Sequence, residues 1–502
     1  MSNFVPRFKF LRVITVVLSV ALGVGWVSFR NSVYDTKAQS APYRNFEAPQ
    51  VHPLAMTPDG TRLLAVNTPN GTLSVFYSAG NVLALMAEIP VGLEPVSVVA
   101  RNDNEAWVVN WLSDSVSVVD LNHFKVSRSF DVGDEPTDVV FAGPQKELAF
   151  VCVSGLSQVK VFDPASPATS PQVIAINAKQ PRALVRDPAG TQVFVSIFES
   201  GNQTTTVSAA QVLAKGGPPP PSPALAPGLP AAPSVGLIVK WNGSGWADEI
   251  GDAKWTSSVP YTLADIDVVV IDAHSPTPAV STLVRGVGTH IGNAVFDQAN
   301  NRLLVANDEA RNLVRFEPNL RGNFLSTRID SISLAGTPSV TASDLNTHID
   351  LNNPAGSDAE RANTLALPGD LVRAADGTLY LAATSSAKVG VINSQGAVTS
   401  RIQVGQGPTG LALNESRNLL YVLNRFDESI STVDLATRTQ IATMPVGFNP
   451  EPDVVRNGRR FLYDTSVSAH GDVSCASCHP NGHRDGLAWD LGDPQGQMQT
   501  VG

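Results

Sequence analysis

The chain has 502 residues, of which 43% are hydrophobic, so it is long enough to bury a large core. Charged residues make up only 16%, and 39 glycines and 36 prolines favour many strands joined by tight turns over long helical bundles. The formal net charge of −10 excludes a general nucleic-acid-binding role, and the count of three cysteines excludes a fold stapled by several disulfides.

Residues 1–45 are predicted to be an N-terminal export signal. Arg7, Lys9 and Arg12 precede an uncharged, largely apolar run over residues 13–29. This run is slightly longer than a signal-peptide core of about 7–15 residues and slightly shorter than a membrane span of about 20. A cleaved signal peptide and an uncleaved inner-membrane anchor therefore both stay open, with the anchor favoured because a small-residue cleavage site comes late. Either interpretation predicts a periplasmic location for the rest of the chain.

Residues 46–465 are predicted to form a β-propeller, because a short motif recurs at regular intervals. The string Val-Gly-x-x-Pro occurs four times, and its prolines belong to a series that repeats about every 40–45 residues. The prolines in register are Pro53, Pro95, Pro136, Pro181, Pro368, Pro408 and Pro450. A period of this length with several strands in each unit is typical of propeller blades.

Each repeat also predicts two successive strands. A short apolar strand that often ends in Asn follows the proline, as at residues 107–110, and a strand of alternating small and β-branched residues comes next, as at residues 115–120. The repeats over residues 53–465 resemble the YVTN family of propellers, whose name is nearly spelled by Tyr421-Val422-Leu423-Asn424. The resemblance implies an all-β fold of seven blades, or eight if the repeat that begins at Val446 is complete.

Two insertions interrupt the repeats, near residues 202–260 and 331–365. The first contains a run of four prolines over residues 218–221 and is expected to be an extended loop or linker. The second is rich in Asp, Asn and Ser and is expected to be a surface loop. This loop either forms a recognition surface or reflects ordinary sequence drift in a loop without such a role. Between the first repeats and these insertions, Cys152 lies in an apolar strand and is expected to be a buried packing residue.

Residues 466–502, the haem-attachment segment, contain the one motif that carries clear chemistry. Cys475-Ala476-Ser477-Cys478-His479 fits the pattern for covalent attachment of a c-type haem. Two thiols three positions apart can each add across one vinyl group of a porphyrin, and the adjacent histidine is then held beneath the iron. The sequence therefore predicts one covalent haem c, bound through Cys475 and Cys478, with His479 as the proximal iron ligand.

A zinc site and a redox dithiol are the chemical alternatives for these cysteines. Zinc requires two further ligands, for which His470 and His483 lie close enough in sequence. A redox dithiol is less favoured because no thioredoxin-like pattern surrounds the motif. An exported location agrees with haem c, since its attachment takes place outside the cytoplasmic membrane.

The second axial position of the iron has several candidates. Met498 follows in the tail, and a thioether ligand would raise the reduction potential and close the iron to peroxide. A solvent-facing role for Met498 is equally compatible with the sequence. His470 could reach the iron by a loop, whereas His483 is too near His479 in sequence to reach the opposite face.

The residues around the motif, 459–464 and 485–490, and the propeller segment 307–318 resemble bacterial proteins that join a YVTN-type propeller to a cytochrome c domain related to dihaem cytochrome c peroxidases. The resemblance implies more sequence after the first haem and often a second haem, whereas this sequence has one motif and ends at Gly502. We therefore expect either a truncated cytochrome or a haem that packs on the propeller or on a partner. Trp489 is expected to pack near the porphyrin or simply in a core.

Three functions from different classes follow. The first is an exported electron-transfer protein whose propeller serves as a docking scaffold for a redox partner, for which the acidic surface favours a basic cytochrome. The second is a peroxidase-like cytochrome enzyme with an open iron site. The third is a propeller binding module or lactonase-like hydrolase, whose site would be assembled from distant residues.

Overall fold

The computed structural model describes residues 44–79, 82–220, 235–315, 323–491 and 498–499. The chain divides into two compact units, Met1–Phe46 and Glu47–Gly502. The first unit, which contains the predicted export signal, lies almost wholly outside the described residues. Within the described ranges, no helix combines the length and the apolar character needed to cross a membrane.

The first three blades are each built from four consecutive antiparallel strands. Blade 1 comprises β1 (Leu54–Met56), β2 (Arg62–Asn67), β3 (Thr72–Ala79) and β4 (Val82–Pro90). Blade 2 comprises β5 (Pro95–Asn102), β6 (Glu105–Asn110), β7 (Ser115–Asp120) and β8 (Lys125–Asp131). Blade 3 comprises β9 (Pro136–Ala142), β10 (Leu148–Val153), β11 (Gln158–Phe162) and β12 (Gln172–Ala175), and Cys152 on β10 is fully buried as predicted.

Blade 4 contains the first insertion, which folds rather than forming only a loop. The blade begins with β13 (Pro181–Arg186) and β14 (Gln192–Ile197). The insertion then forms β15 (Thr204–Val207), α1 (Ala209–Ala214), β16 (Leu237–Trp241) and β17 (Trp246–Ala247), before β18 (Val268–Asp272) and β19 (Ala279–Val284) complete the blade. Buried Trp246 and Trp255 centre a separate small core, which the average composition of the proline-rich insertion concealed. Residues 221–234 lie outside the described part.

Blades 5 to 7 again use consecutive strands. Blade 5 comprises β20 (His290–Asp297), β21 (Arg302–Ala310), β22 (Leu325–Ser333) and β23 (Ser339–Asp344). The second insertion, with helix α2 (Asp358–Asn363), follows β23, so it is shorter than predicted because residues 331–344 belong to the blade. Blade 6 comprises β24 (Pro368–Arg373), β25 (Leu379–Ala383), β26 (Lys388–Ile392) and β27 (Val398–Gln403), and blade 7 comprises β28 (Pro408–Asn414), β29 (Leu419–Asn424), β30 (Ser429–Asp434) and β31 (Thr439–Pro445).

The seven blades close into a ring. Their innermost strands contact one another in the cyclic order β1, β5, β9, β13, β20, β24 and β28, and β28 contacts β1 again. The all-β propeller prediction is therefore confirmed, with seven four-stranded blades among the described residues. The repeat that begins at Val446 does not build an eighth blade, since the chain continues there into helix α3 (Asp453–Tyr463).

The repeat residues account for the blade geometry. Five of the register prolines stand at the first position of an innermost strand, a place where a missing N–H costs no ladder hydrogen bond. The strand-ending asparagine tethers its neighbours: Asn110 Nδ2 donates to Ser115 Oγ (3.2 Å) and Ser117 Oγ (3.0 Å). In blade 7, Asn424 Nδ2 bonds Ser429 Oγ and Ser431 Oγ in the same way, at 3.1 and 2.9 Å.

Adjacent blades are held together by apolar cores between their sheets. In the core between blades 2 and 3, Trp107 is fully buried and meets Phe141 edge to face at 5.2 Å. Each sheet covers its neighbour's face in this way, so a single blade would leave apolar surface exposed. The ring is latched after blade 7, where Asn67 Nδ2 of blade 1 donates to the carbonyl oxygen of Phe448 at 2.9 Å.

The chain itself occupies the axis of the ring. An axial strap, residues 47–53, runs along the inner strands before β1 begins. Its Val51 N–H donates to the Val96 carbonyl of blade 2 at 3.0 Å, and Asn293 Nδ2 of blade 5 donates to the Val51 carbonyl at 2.6 Å. The strap therefore bridges blades on opposite sides of the axis.

Candidate haem-attachment site

The haem-attachment segment docks on blade 5. Leu487 and Trp489, on the segment, are buried against Ala310 and Leu325, where β21 and β22 extend beyond the sheet. Cys478 lies at the edge of the same apolar cluster. The Trp489 ring meets Phe324 edge to face, with ring centroids 5.8 Å apart. Trp489 is thus a buried core aromatic, one of the two roles predicted for it, and its packing near a porphyrin stays a prediction.

Hydrogen bonds fix the segment after the motif. Asn312 Nδ2 of blade 5 donates to the Ala488 carbonyl oxygen at 3.0 Å. The Trp489 indole Nε1 donates to Asp485 Oδ2 at 3.0 Å, and Asp485 Oδ1 accepts the Leu487 N–H at 2.9 Å. The turn that leads from His479 to Trp489 is therefore tied both to itself and to the propeller.

The second insertion holds the residues that lead into the motif. Arg361, on helix α2, donates from Nη1 to the Ala469 carbonyl at 2.8 Å, and Thr364 Oγ1 donates to the His470 carbonyl at 2.7 Å. Ser357 and Glu360 form a capping box that fixes the start of α2. This insertion thus contributes a contact surface within the chain itself.

Buried ion pairs fasten helix α3 to the rim of the ring. Arg459 Nη1 donates to Glu451 Oε2 at 2.7 Å and its Nε lies 3.1 Å from Glu47 Oε1 of the axial strap. Arg425 of blade 7 also contacts Glu451, at 3.4 Å. Burial alone would lower the pKa of Arg459. Its hydrogen bond to Glu451 and the negative charges of Glu47 and Glu451 outweigh burial and raise this pKa. These contacts therefore hold helix α3, which precedes the motif in sequence, against the propeller.

The motif forms a tight turn that places its two thiols one turn apart. Cys475–Ser477 is a short 3-10 helix, and the His479 N–H donates to the Cys475 carbonyl at 2.9 Å. At the start of this turn, the Ser474 N–H donates to Ser477 Oγ at 3.0 Å. Cys475 is exposed, Cys478 is half-buried, and both are free thiols.

The hydrogen bond of His479 matches that of a metal-ligating histidine. Its Nδ1 lies 2.9 Å from the carbonyl oxygen of His483. Because a carbonyl oxygen only accepts, Nδ1 carries the proton and Nε2 presents its lone pair. Histidines that bind metals commonly donate their other ring N–H to a carbonyl in this way, which fixes the tautomer and the ring orientation. The motif residues therefore fit a c-type haem.

The environment of Cys478 favours the protonated thiol. Burial raises the pKa of Cys478 to about 12, and the negative charge of Asp485 acts in the same direction. A thiol adds its S–H across a vinyl group, whereas a zinc ligand must be a thiolate.

The histidines considered for zinc do not complete such a site. Among the described residues, no group of three or more His, Cys, Asp or Glu side chains is arranged to hold a metal ion. His483 turns its carbonyl toward the motif, and fully buried His470 lies beside Glu360, with Nδ1 3.6 Å from Oε2. Met498 lies in β33 (Met498–Gln499), which pairs with β32 (Ala488–Trp489), but its side chain is outside the described part, so its role as a ligand stays a prediction.

Several polar residues at the ring axis and on the innermost strands were not predicted from the sequence. His52 of the axial strap lies between Asp138 and Asp370, at 2.8 and 3.9 Å. Both aspartates stand two positions after a register proline, a shared position that would have identified them as neighbours at the axis. Arg182 and His290, also on innermost strands, have no comparable signal in the sequence.

Comparisons with known proteins support the fold. No protein-family model matches the chain, and no curated protein does. Among solved structures, it is similar to hydrazine synthase of Kuenenia stuttgartiensis, with 16% identity over 79% of this chain and 98% of that chain and a TM-score of 0.56. At this identity the similarity shows the propeller fold alone.

Two further solved structures give lower TM-scores. A putative 6-phosphogluconolactonase from Bacteroides uniformis is 14% identical over 78% of this chain and 87% of that chain, with a TM-score of 0.43. A periplasmic gluconolactonase from Pseudomonas aeruginosa is 12% identical over 71% of this chain and 86% of that chain, with the same TM-score.

Proposed function

We propose that this chain is an exported c-type haem protein that transfers electrons, with the propeller as a rigid platform for the haem-attachment segment. The observation that carries the proposal is the 2.9 Å contact between His479 Nδ1 and the His483 carbonyl, which leaves Nε2 free to bind a metal, in a motif whose two cysteines are free thiols. When bound, haem supplies one-electron redox chemistry.

Each residue of the site would have its own role in holding the haem. Cys475 and Cys478 would hold the porphyrin as thioethers, and His479 would bind the iron through Nε2. The His483 carbonyl would orient the imidazole and increase its basicity. Trp489 and Leu487, buried against blade 5, would keep water from the adjacent edge of the site.

The propeller supports electron transfer as a docking platform. The contacts of Asn312 with Ala488 and of Arg361 with Ala469 hold the segment in one place on the ring. A fixed orientation favours rapid transfer to a partner that binds the same face. The net charge of −10 would attract a basic redox protein to this chain, an effect that added salt weakens.

The alternative function, a propeller binding module or lactonase-like hydrolase, would assemble its site from residues of several blades at the ring axis. The axial strap runs through the channel, and His52 stands there between aspartates of blades 3 and 6. The peroxidase alternative depends on an open iron position, which peroxide addition tests directly.

The experiment is export of the full chain in a bacterial host with a cytochrome c maturation system. We expect a pyridine haemochrome spectrum of c type from protein that has been denatured in detergent. The double variant Cys475→Ala, Cys478→Ala should lack it, whereas Cys152→Ala, a matched control in the blade 3 core, should retain it. Haem that extracts into acid acetone would contradict the proposal.

Redox assays then separate electron transfer from peroxidase activity. We expect reversible one-electron reduction and fast, salt-sensitive exchange with a basic cytochrome c used as a probe. Rapid reoxidation of the reduced protein by hydrogen peroxide would instead assign a peroxidase. Fractionation of the same cells should find the protein in the periplasm if the N-terminal export signal is cleaved and in the inner membrane if it is an anchor.

A further inference from the structure

Arg182, next to Pro181 at the start of β13, is a buried cation on an innermost strand of the ring. It is 8% exposed, and its Nη2 donates to Gln180 Oε1 at 2.9 Å. Its Nε has no hydrogen-bond partner among the described residues. Its link to a carboxylate is indirect, since Gln180 Nε2 in turn donates to Glu199 Oε1 at 2.9 Å. A buried guanidinium with an unused donor calls for an anion.

An aromatic stack fixes the orientation of this guanidinium. Its Cζ lies 3.3 Å from the ring centroid of Phe198, and Phe198 stacks on His290 with centroids 5.4 Å apart. Burial lowers the pKa of His290 to about 4, so this imidazole is neutral at physiological pH and adds no competing charge. Burial also lowers the pKa of Arg182, to about 9, which still leaves the guanidinium protonated at neutral pH.

Arg182 lines a cavity that also touches the turn directly after the haem motif. The cavity has a volume of about 100 Å³, and Arg182, Phe198, Pro480 and Asn481 are among its lining residues. Pro480 and Asn481 directly follow the predicted iron ligand His479. The cavity therefore separates the buried cation from the turn on which a haem would be held.

The acidic residues that line this cavity already have partners. Asp370 accepts Asn293 Nδ2 at 2.9 Å and lies near His52, and Glu47 pairs with Arg459. Neither carboxylate is placed to balance the positive charge of Arg182. The guanidinium side chain of Arg182, which lines the cavity, is thus available to a ligand there.

We propose that Arg182 binds a carboxylate or similar oxyanion in this cavity, and that in the matured protein this anion is a propionate of the attached haem. The propionate assignment rests on the proposed function. A free small oxyanion offers the same chemistry to a guanidinium fork, so the experiment must distinguish the two sources.

The first arm measures the reduction potential of matured protein by spectroelectrochemistry at one pH. We expect Arg182→Gln to lower the potential, because a propionate without its cation places uncompensated negative charge beside the haem and favours the ferric form. Arg182→Lys, which keeps the charge without the fork, should shift it less. Arg186→Gln, an exposed arginine on the same strand, is the control and should leave it unchanged. A potential that is equal in all four proteins would overturn the propionate assignment.

The second arm uses calorimetric titration with sodium acetate and inorganic phosphate. The haem-free double variant Cys475→Ala, Cys478→Ala should bind at least one of these anions, and adding Arg182→Gln should abolish binding. If the propionate fills the site, matured protein should bind neither; if matured protein binds them as well, the source is a free anion. Absence of binding in both forms, with no change in potential, would overturn the proposal. Should no haem attach to any form, the proposed function fails, while acetate binding still tests Arg182.

Discussion

The Nδ1 atom of His52 lies 2.8 Å from a carboxylate oxygen of Asp138, at the axis of the propeller. On its other side, Nε2 lies 3.9 Å from an oxygen of Asp370. Asp138 belongs to blade 3 and Asp370 to blade 6, so one imidazole on the axial strap links opposite sides of the ring. Its side chain remains 25% exposed, whereas the two aspartates are almost fully buried.

The first prediction concerns stability against pH. Burial acts to lower the pKa of His52, but attraction to Asp138 and Asp370 outweighs it and raises the pKa to about 9. Because the folded-state pKa exceeds the unfolded value of about 6.5, the contribution is complete below about pH 6.5 and is lost as pH rises through 9. We expect the free energy of unfolding, measured in urea, to fall by up to about 3 kcal/mol across this range, at about 1.4 kcal/mol per pKa unit.

A variant assigns this pH dependence to His52. His52→Gln should be less stable than the wild type near pH 6 and should flatten the slope between pH 6.5 and 9. His123→Gln, at an exposed histidine beside Asp120, is the matched control and should keep the wild-type slope. An unchanged slope in His52→Gln would refute the role of the axial imidazole.

The second prediction concerns the docking of the haem-attachment segment. Trp489→Ala removes a buried indole that contacts Phe324 and Asp485, and such a loss typically costs about 3–5 kcal/mol. Since Trp489 packs in a small cluster outside the blades, we expect limited proteolysis within residues 466–491 while the ring stays folded. Trp241→Ala, at a partly exposed tryptophan, should not have this effect; equal protease resistance in Trp489→Ala would contradict the docking.

The third prediction concerns the three thiols. In protein made without haem attachment, exposed Cys475 should react with iodoacetamide first and half-buried Cys478 more slowly. Cys152 should react only on unfolding, because burial raises its pKa to about 12. In matured protein, mass spectrometry after denaturing alkylation should find only Cys152 modified. Modification of all three cysteines in matured protein would show that neither thiol holds a haem.

The fourth prediction concerns the asparagine that ends the second strand of a blade. Asn110→Ala leaves the buried Ser117 hydroxyl and the Gly92 N–H without this partner, which should cost about 1–3 kcal/mol in urea unfolding. Asn104→Ala, at an exposed turn position in the same blade, should change stability by less than about 0.5 kcal/mol. Similar values for the two variants would contradict a shared tethering role for the repeat asparagines.

The sequence allowed much of the ring to be predicted because the relevant interactions are local and repeated. Register prolines mark innermost strands, and strand-ending residues such as Asn110 and Asn424 bond serines five and seven positions later. The Cys475–His479 turn is equally local. Its identification depends on spacing alone.

The remaining features depend on contacts between distant parts of the chain. Docking of Trp489 on Phe324 and insertion of His52 between two blades arise only when the ring has closed. The folded insertion in blade 4 escaped prediction because its Trp246 and Trp255 core is diluted by prolines and glycines. Arg182 stood in no motif, and only its burial beside the cavity reveals it.

Intact-mass spectrometry of the exported chain under denaturing conditions tests the central claim most directly. A polypeptide heavier by one haem, with that added mass lost in Cys475→Ala, Cys478→Ala, is the expected result. An unmodified mass from cells that mature other c-type cytochromes would contradict covalent attachment and leave the propeller without an assigned cofactor.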